Sequence, residues 1–278
     1  MNLGRRIRAY CENGRRIRAS YDNPLKRSEN LELKDRLERE FYDTEAEKYL
    51  RDFESDIFRY DPDEPMPLSH RFFYSRLERV KGKRILDIGC GYGFSSVNLA
   101  KRGARLDSID ISPKMIELTQ KNAGFNQVQH LIQARLMSAQ NLEFPDQTFD
   151  YVVGMGILHH LNLDLASKEI SRVLKPGGKA LFLEPRIPYK GLIHIRSLIP
   201  TRCYESPGGS QLTDRDIQGF AENFSILHME YFLFLRKLTR FPGIKRFETT
   251  LDKMDVWLVN HFPVLSKLYW AIVLQLEK

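Results

Sequence analysis

A run of alternating glycines that follows an aspartate is the part of this chain whose residue types and spacing point most directly to chemistry. Asp87 opens the run Asp-Ile-Gly-Cys-Gly-Tyr-Gly, which ends at Gly93. The apolar residues 85–88 predict a buried strand, and glycines let the backbone turn sharply after it and approach a ligand closely. Residues 94–102 have helical character, and the N–H groups that begin a helix attract anionic ligands. This arrangement predicts a cradle for a nucleotide-containing cofactor.

A second acidic residue lies at the end of the next predicted strand. Residues 105–110 end in Asp110, about 20 residues after the glycine loop. A carboxylate at that place can accept hydrogen bonds from the hydroxyls of a ribose. Ser112 and Pro113 fit the N-cap and the first position of a following helix. The loop and the second acid are therefore expected at the same edge of a parallel sheet.

The glycine spacing separates two classes of cofactor site. A dinucleotide site needs Gly-x-Gly-x-x-Gly, and its third glycine would fall where this chain has Phe94. The run from Asp87 to Gly93 instead resembles the Asp-x-Gly-x-Gly-x-Gly motif of class I S-adenosylmethionine-dependent methyltransferases. Later runs, Asp-Tyr-Val-Val, Leu-His-His-Leu, Arg-Val-Leu-Lys-Pro-Gly-Gly and Phe-Leu-Glu-Pro, are similar to the small-molecule (natural-product and ubiquinone-type) branch of that superfamily. The resemblance covers about residues 31 to 190 closely.

The resemblance implies S-adenosylmethionine as the cofactor and S-adenosylhomocysteine as its product. The residues expected at the cofactor are Asp87, Gly89, Gly91 and Gly93 at the methionine end, Asp110 at the ribose, Met137 and Ser138 beside the adenine, and Cys90, Ile111 and Met155 elsewhere in the site. The family often contacts adenine through an Asp where this chain has Ser138, so the Ser138 hydroxyl or backbone atoms must substitute. Cys90 is interpreted as a small residue that fills the loop, not as a nucleophile.

Candidate proton acceptors lie where the fourth and fifth predicted strands end. His159 and His160 follow strand 149–154, and Glu184 ends strand 179–184. The methyl carbon of the implied cofactor is already electrophilic, so the protein must align donor and acceptor and take up a proton. One histidine is predicted to be that base, because neighbouring helical residues diverge by about 100°; the alternative is a histidine that only orients its helix. Glu184 either binds a polar group of the substrate or holds its loop.

Strands that alternate with helices predict an α/β fold, a Rossmann-like doubly wound sheet. The resemblance implies seven strands, parallel except for one antiparallel C-terminal strand. The methyltransferase core is assigned to residues 81–278. Residues 31–80 are assigned to a helical lid, in which Tyr42 either covers the cofactor or substrate, as the resemblance implies, or only packs the helix onto the core. No metal site is expected.

Two insertions in the core, at about 185–225 and 237–266, are expected to bind the substrate. They carry aromatic residues, among them Phe247, Trp257 and Phe262, which suggest an apolar or aromatic pocket. The alternative for these aromatic residues is joint exposure at a membrane surface or at another subunit.

The 278-residue chain carries most of its positive charge at one end. Residues 1–30 are assigned to a basic tail, since the first 27 residues hold eight basic and two acidic side chains, which is +6 of the net +7. This tail suits phosphate-bearing partners or an anionic membrane; a solvated tail or an oligomer-contacting helix is the favoured interpretation. A nucleic-acid partner is disfavoured, because the sequence shows no basic groove interleaved with aromatic residues elsewhere. A homo-oligomer through the tail or a C-terminal helix stays open.

From the composition of the sequence we expect a cytoplasmic protein. Cys11, Cys90 and Cys203 are too scattered for a disulfide framework or a metal site. No apolar run approaches the roughly 18 residues needed to span a bilayer, and the charged N-terminus lacks the pattern of a signal peptide. Peripheral contact with a membrane is not excluded by these features.

The acceptor class follows partly from motifs that the sequence does not contain. A nucleobase N-methyltransferase shows Asn/Asp-Pro-Pro-Tyr/Phe after the fourth strand, where this chain has Gly154-Met-Gly-Ile, and a cysteine-based enzyme needs a Cys at these strand ends. We therefore expect an enzyme that methylates O, N or C of a small apolar or aromatic metabolite, such as a secondary metabolite or a lipid-like precursor. The alternatives are an RNA or protein methyltransferase that uses the basic tail, and a non-catalytic partner protein that binds S-adenosylmethionine.

Overall fold

The computed structural model describes residues 24–51, 60–61, 66–77, 79–185, 209, 212–232, 235, 238, 243–262 and 271–278. Within these ranges the chain forms seven α-helices and seven β-strands. Parts of the predicted tail and of the predicted insertions, at 1–23, 186–208, 210–211, 239–242 and 263–266, lie outside the described residues.

The helices and strands alternate along most of the chain. The helices are α1 (Pro24–Arg51), α2 (Leu68–Ser75), α3 (Phe94–Lys101), α4 (Pro113–Phe125), α5 (Leu163–Val173), α6 (Asp214–Ala221) and α7 (Glu248–His261). The strands are β1 (Arg84–Ile88), β2 (Arg105–Asp110), β3 (Ile132–Leu136), β4 (Phe149–Met155), β5 (Leu174–Pro185), β6 (Ile226–Phe232) and β7 (Ala271–Glu277). A short 3₁₀ turn, Leu158–His160, lies between β4 and α5.

The seven strands form one sheet in the order β3-β2-β1-β4-β5-β7-β6. Strand β7 is antiparallel to both of its neighbours, and the other paired strands are parallel. The predicted doubly wound α/β sheet with one antiparallel C-terminal strand is therefore confirmed. Because β1 lies between β2 and β4, the winding reverses at β1, and ligands bind beyond the carboxyl ends of strands at such a point.

Both faces of the sheet are covered by helices. Along β5, Ala180 and Phe182 belong to a buried cluster that includes residues of α5 and α6. Leu181 and Leu183 belong to a second cluster that includes residues of α2 and α3. Successive side chains of a strand point to opposite faces, so this division shows that the sheet separates two cores. A nearly continuous apolar run is the pattern that a strand buried on both faces requires.

Polar side chains cap the starts of two helices, and the cap at Ser112 is the one that the sequence predicts. The Ser112 hydroxyl accepts a hydrogen bond from the Met115 N–H at 3.0 Å, and Pro113 is the first residue of α4. Thr213 and Asp216 form a reciprocal capping box at the start of α6. These polar side chains satisfy N–H groups that a helix leaves unpaired at its first turn.

Two features differ from the sequence assignments at the N-terminal side. Helix α1 begins at Pro24, inside the range assigned to the tail. Helix α2 lies in the range assigned to the lid, but Phe73 and Tyr74 are buried in the core cluster against the sheet. In the part of the chain that the structure describes, no helix combines the length and apolar character needed to cross a membrane.

Candidate active site

The glycine loop after β1 needs glycine for its backbone conformation. Gly89, Gly91 and Gly93 have φ values of 63°, 54° and 82°, in the left-handed region that disfavours other residues. A Cβ atom on Gly89 would lie 2.5 Å from Cδ1 of Ile157, whereas one on Gly91 would meet no atom within 4 Å. Gly91 therefore leaves open space where the loop faces a cavity.

This cavity, of about 260 Å³, lies between the glycine loop, the carboxyl ends of the central strands and α1. Its wall consists of Asp35, Glu38, Tyr42, Glu45, Tyr49, Gly89, Gly91, Tyr92, Asp110, Ile111, Met115, Met137, Ser138, Ala139, Gln140, Met155, Gly156, Ile157, His160 and Leu161. Small-molecule sites enclose roughly 300–1,000 Å³, so the cavity is close to the size of a site for one small ligand.

Helix α1 covers the cavity with one of its faces. The five wall residues of α1, Asp35, Glu38, Tyr42, Glu45 and Tyr49, are three or four positions apart and so share that face. The structure thus places Tyr42 over the cavity, as the sequence suggested. Asp35, Glu38 and Glu45 were missed, although their spacing from Tyr42 was a signal that could have identified them.

Hydrogen bonds fix α1 in this position. Nε of Arg39 donates to the Ile111 carbonyl at 2.9 Å. A carboxylate oxygen of Asp43 accepts hydrogen bonds from the Ser112 hydroxyl at 2.5 Å and from the Lys114 N–H at 3.3 Å. Asp43 therefore joins α1 to the first turn of α4, where negative charge is favourable. The lid helix is docked against the loop that follows β2.

Asp110 is the acidic residue that faces the cavity from the end of β2. Its two carboxylate oxygens accept hydrogen bonds from the N–H groups of Gly91, at 3.0 Å, and Ser112, at 2.9 Å. Burial raises the pKa of Asp110 to about 6, although these N–H groups partly oppose the shift. The carboxylate is thus held in one orientation at the point where the sequence predicts a ribose contact.

Three of the residues predicted at the cofactor, Asp87, Cys90 and Gly93, lie outside the cavity wall. Asp87 is 1% exposed and accepts a hydrogen bond from the Ser96 hydroxyl at 2.6 Å. Burial raises the pKa of Asp87 to about 7, and burial also raises the pKa of the Cys90 thiol. Asp87 therefore supports the start of α3 beneath the loop, and Cys90 has the environment of a filler residue rather than of a thiolate nucleophile.

Glu184, which is buried, and His159, which is partly exposed, form a pair beside the cavity, not in its wall. One oxygen of Glu184 accepts hydrogen bonds from the N–H groups of Ile157 and Leu158, both at 2.9 Å. The other oxygen lies 2.8 Å from Nδ1 of His159. Glu184 is 0% exposed and through these contacts holds the turn after β4, which is one of the two roles that the sequence leaves open for it. Glu184 also orients His159, and the assignment of either residue as a base stays a prediction.

His160 is the histidine that lines the cavity. Its Nε2 lies 3.1 Å from the Tyr42 hydroxyl, and its Nδ1 lies 3.3 Å from a carboxylate oxygen of Glu38. Glu38 is 2% exposed and His160 is 8% exposed. The lid helix therefore contacts both ring nitrogens of this histidine. A buried carboxylate beside one ring nitrogen helps to orient the imidazole.

A further polar group of the cavity wall lies around Ser138. Nε2 of Gln140 donates to the two carboxylate oxygens of Asp35 at 3.2 and 3.3 Å. The Gln140 N–H donates to the Ser138 hydroxyl at 3.3 Å. Burial raises the pKa of Asp35, and the hydrogen bond from Gln140 opposes this shift. The lid thus brings a carboxylate to Gln140, two residues after Ser138, where the resembled family often has an acidic residue.

The aromatic residues of the second predicted insertion do not reach this cavity. Phe247, Trp257 and Phe262 are 47%, 53% and 48% exposed, which corrects their assignment to the pocket wall. Tyr189, His194, Tyr204 and Phe241 lie outside the described residues. Among the residues that the structure describes, no group of three His, Cys, Asp or Glu side chains could hold a metal ion.

The chain matches a known family and several known proteins. The Methyltransferase domain family matches residues 86–182, from β1 to β5. A demethylmenaquinone methyltransferase of Lactobacillus johnsonii is 34% identical over 127 residues, which are 44% of this chain and 52% of the relative. The ubiquinone/menaquinone biosynthesis C-methyltransferase UbiE of Zymomonas mobilis is 26% identical over 70% of this chain and 76% of its own length.

The fold agrees with these matches. The geranyl diphosphate C-methyltransferase of Streptomyces coelicolor, solved with S-adenosyl-L-homocysteine, superposes with a TM-score of 0.56 at 15% identity, over 74% of this chain and 76% of that one. The family match and these relatives support the class I S-adenosylmethionine-dependent methyltransferase that the sequence resembles. The family that the sequence predicts is thereby confirmed, together with the fold. The chain spans about half the length of the first curated relatives that it matches, 52% in two cases.

The cavity of this methyltransferase fits the cofactor of the family. Gly91 leaves room for a ligand against the loop, and Asp110 presents a fixed carboxylate beside it. Ile111 and Met137 supply apolar wall near Ser138, where a purine ring would be held. S-adenosylmethionine is therefore the cofactor that these residues would hold, with its ribose at Asp110 and its adenine near Ser138.

Proposed function

We propose that this methyltransferase transfers a methyl group to a small apolar or aromatic acceptor. S-adenosylmethionine supplies an electrophilic methyl carbon when it is bound. The observation that carries the proposal is that His160 lines the same cavity as Gly91 and Asp110. A titratable side chain thus lies in the wall that the cofactor residues form, where an acceptor must lose a proton.

The contacts of His160 favour Nε2 as the atom that takes up this proton. Glu38 lies at Nδ1, and a carboxylate there favours the tautomer whose proton is on Nδ1. Nε2 is then an acceptor, and the Tyr42 hydroxyl donates to it. An acceptor hydroxyl that takes the place of the Tyr42 hydroxyl, or lies beside it, would pass its proton to Nε2. Loss of this proton makes the acceptor oxygen, or a ring carbon conjugated with that oxygen, more nucleophilic.

The lining of the cavity supports an apolar acceptor. Besides the carboxylates of the lid, the wall holds Tyr42, Tyr49 and Tyr92 and the side chains of Met155 and Ile157. Aromatic and thioether groups form adaptable apolar surface. The relatives are named for methylation of demethylmenaquinone and for C-methylation in ubiquinone and menaquinone biosynthesis. These names favour a hydroxylated ring as the acceptor and carbon as the atom methylated.

Asp35 is proposed to provide the adenine contact. In the resembled family an acidic residue often occupies the position of Ser138. In this chain Asp35 of α1 lines the same cavity as Ser138 and binds Gln140, two residues after it. A carboxylate there can accept a hydrogen bond from the exocyclic amino group of adenine. The cofactor would then be held between the sheet and the lid, so that the lid and the cofactor stabilise each other's position.

The proposed function is tested by binding first and by turnover second. Calorimetric titration of the full chain with S-adenosylhomocysteine and S-adenosylmethionine should show binding, whereas NAD should not bind. Methyl transfer from radiolabelled S-adenosylmethionine is then measured to demethylmenaquinone, a hydroxylated aromatic compound and a sterol, with RNA and a protein mixture as comparison acceptors. Transfer to a ring acceptor supports the proposal. Transfer only to RNA or protein would contradict it, and tight binding without transfer to any acceptor would favour a non-catalytic partner protein.

A further inference from the structure

Large apolar side chains are exposed together around α7. Within the described residues ten large hydrophobic side chains are exposed, and five of them lie between positions 247 and 262. These five are Phe247 (47%), Met254 (47%), Val256 (44%), Trp257 (53%) and Phe262 (48%). The Trp257 ring contacts the Phe262 ring edge-on, with the ring centroids 5.9 Å apart. The five side chains, here called the α7 patch, thus lie on α7 or directly beside it.

The charges of α7 are divided between its buried and exposed faces. Asp252 and Asp255 are only 5% and 4% exposed. Asp252 pairs with Arg71 at 3.5 Å, and Asp255 accepts a hydrogen bond from the Leu235 N–H at 2.8 Å. Lys253, in contrast, is exposed beside Met254. Asp252 and Asp255 are therefore used inside the protein, Glu248 in the first turn is partly exposed, and cationic charge accompanies the α7 patch.

Further cationic charge precedes α7. Arg246 is exposed, and its guanidinium group lies 4.8 Å from the centroid of the Phe247 ring. The sequence between positions 231 and 247 contains five lysines and arginines and no acidic residue. The surface at α7 thus combines apolar side chains, a tryptophan and positive charge.

We infer that the α7 patch docks onto an anionic lipid membrane. Apolar side chains of a helix that lies in the interface enter the boundary between headgroups and acyl chains, and tryptophan is enriched at that depth. Lys253 and Arg246 would contact the anionic headgroups, where each basic residue attracts the surface. A second copy of this chain fits less well, because a two-fold contact through this patch brings the same cations together.

This inference goes beyond methyl transfer and does not depend on it. Its consequence for the proposed function is that an acceptor dissolved in a membrane would be within reach of an enzyme held at the bilayer surface. The experiment therefore measures docking in the absence of cofactor and acceptor, so that failure of the docking and failure of the methyl transfer are separate results.

The test is flotation of the full chain with vesicles of phosphatidylcholine alone and of equal parts phosphatidylcholine and phosphatidylglycerol. The wild type should float with the anionic vesicles. The variant Met254→Ser/Trp257→Ser should bind them at least about tenfold less, since two large apolar side chains no longer enter the interface. Phe125→Ser, which changes a 42% exposed aromatic side chain on α4, is the matched control and should bind like the wild type. Thermal melting of each variant confirms that it is folded.

A second variant tests whether the positive charges beside the α7 patch contribute to membrane binding. Arg246→Glu/Lys253→Glu should reduce binding to the anionic vesicles by about fivefold or more, and added salt should weaken wild-type binding in the same way. Absence of wild-type flotation, or equal binding by the Met254→Ser/Trp257→Ser and Phe125→Ser variants, would overturn the inference. Light scattering tests the alternative partner, a second copy of the chain. That alternative would be supported if the wild type forms a dimer and does not bind vesicles, and if only the Met254→Ser/Trp257→Ser variant fails to form the dimer.

Discussion

The hydroxyl of Tyr42 lies 3.1 Å from Nε2 of His160, although the two residues are 118 positions apart in the chain. Their rings also meet edge to face, with centroids 5.7 Å apart. A residue of the lid helix is thus in contact with the histidine that faces the cavity. The docked position of the lid helix and the orientation of the proposed base therefore depend on the same contact.

The first prediction concerns this pair. His160→Ala should reduce methyl transfer by about 10²–10⁴-fold, the usual contribution of a general base, and should leave the affinity for S-adenosylhomocysteine unchanged. Tyr42→Phe keeps the ring but loses the hydroxyl, so we expect a decrease in kcat of roughly three- to tenfold. Tyr49→Phe, on the same face of α1, should have little effect. Steady-state kinetics and calorimetry provide these values.

The pair also predicts non-additivity. In the His160→Ala background, Tyr42→Phe should cause no further loss of kcat, because the atom that the hydroxyl contacts is absent. Independent, multiplicative losses would show that the two residues act separately and would contradict the assignment of Tyr42 to the histidine.

The second prediction separates His160 from its neighbour. Glu184→Ala leaves the N–H groups of Ile157 and Leu158 without their acceptor, so the free energy of unfolding should fall by roughly 2 kcal/mol or more in urea titrations. His159→Ala should lower stability by a smaller amount and should retain most of the turnover. A loss of turnover in His159→Ala as large as that in His160→Ala, at full stability, would reverse the assignment of the base.

The third prediction is a pH dependence of cofactor affinity. Burial raises the pKa of Asp110 to about 6, and only the ionised carboxylate accepts hydrogen bonds from both ribose hydroxyls. Affinity for S-adenosylhomocysteine should therefore increase as the pH rises through about 6 and then reach a plateau, with proton release on binding below the plateau. Calorimetry in buffers of different ionisation enthalpy measures both quantities.

Asp110→Asn should remove this pH dependence and weaken binding by roughly 1–3 kcal/mol at neutral pH. Asp87→Asn is the control, because Asp87 is also a buried acid with a raised pKa but lies outside the cavity wall. It should retain the pH dependence. An Asp110→Asn protein that binds as tightly as the wild type would rule out the ribose contact.

The fourth prediction addresses the adenine end of the cavity. Asp35→Ala should weaken binding of S-adenosylhomocysteine by roughly tenfold, the size expected for one hydrogen bond to a charged group. It should not weaken binding of S-inosylhomocysteine, which lacks the amino group. Glu32→Ala, an exposed acidic residue on the same helix, should leave both affinities unchanged. Equal loss of affinity for both ligands would mean that Asp35 acts only by holding the lid to Gln140.

The fifth prediction compares two glycines with similar backbone angles. Gly89 and Gly177 have φ values of 63° and 70°, but only a Cβ on Gly89 would collide, with Ile157. Both Gly89→Ala and Gly177→Ala carry the strain of a left-handed residue, about 1 kcal/mol. Gly89→Ala should lose roughly 1–3 kcal/mol more, because Ile157 must move. Chemical unfolding measures the difference in the free energy of unfolding between the two variants. Equal losses would show that Ile157 moves aside at no cost in free energy.

Features that depend on short stretches of chain could be predicted from the sequence. The glycine loop, the acidic residue at the end of β2 and the Ser112 cap are each specified by a few neighbouring residues, because backbone strain and helix-end hydrogen bonds are local. Apolar runs that alternate with helical segments likewise predicted the doubly wound sheet. The antiparallel C-terminal strand was predicted through resemblance to the family rather than through local pattern.

Only the tertiary structure decided which side chains meet. His159 and His160 are adjacent and chemically equal in the sequence, and they differ because Glu184 binds one while α1 contacts the other. Asp87 looked like a ligand residue, yet packing buries it beneath the loop against Ser96. Likewise, α1 brings Asp35 to Gln140 across 105 positions. Such contacts depend on how separate elements dock, which is a property of the whole packed core and leaves no short-range pattern in the chain.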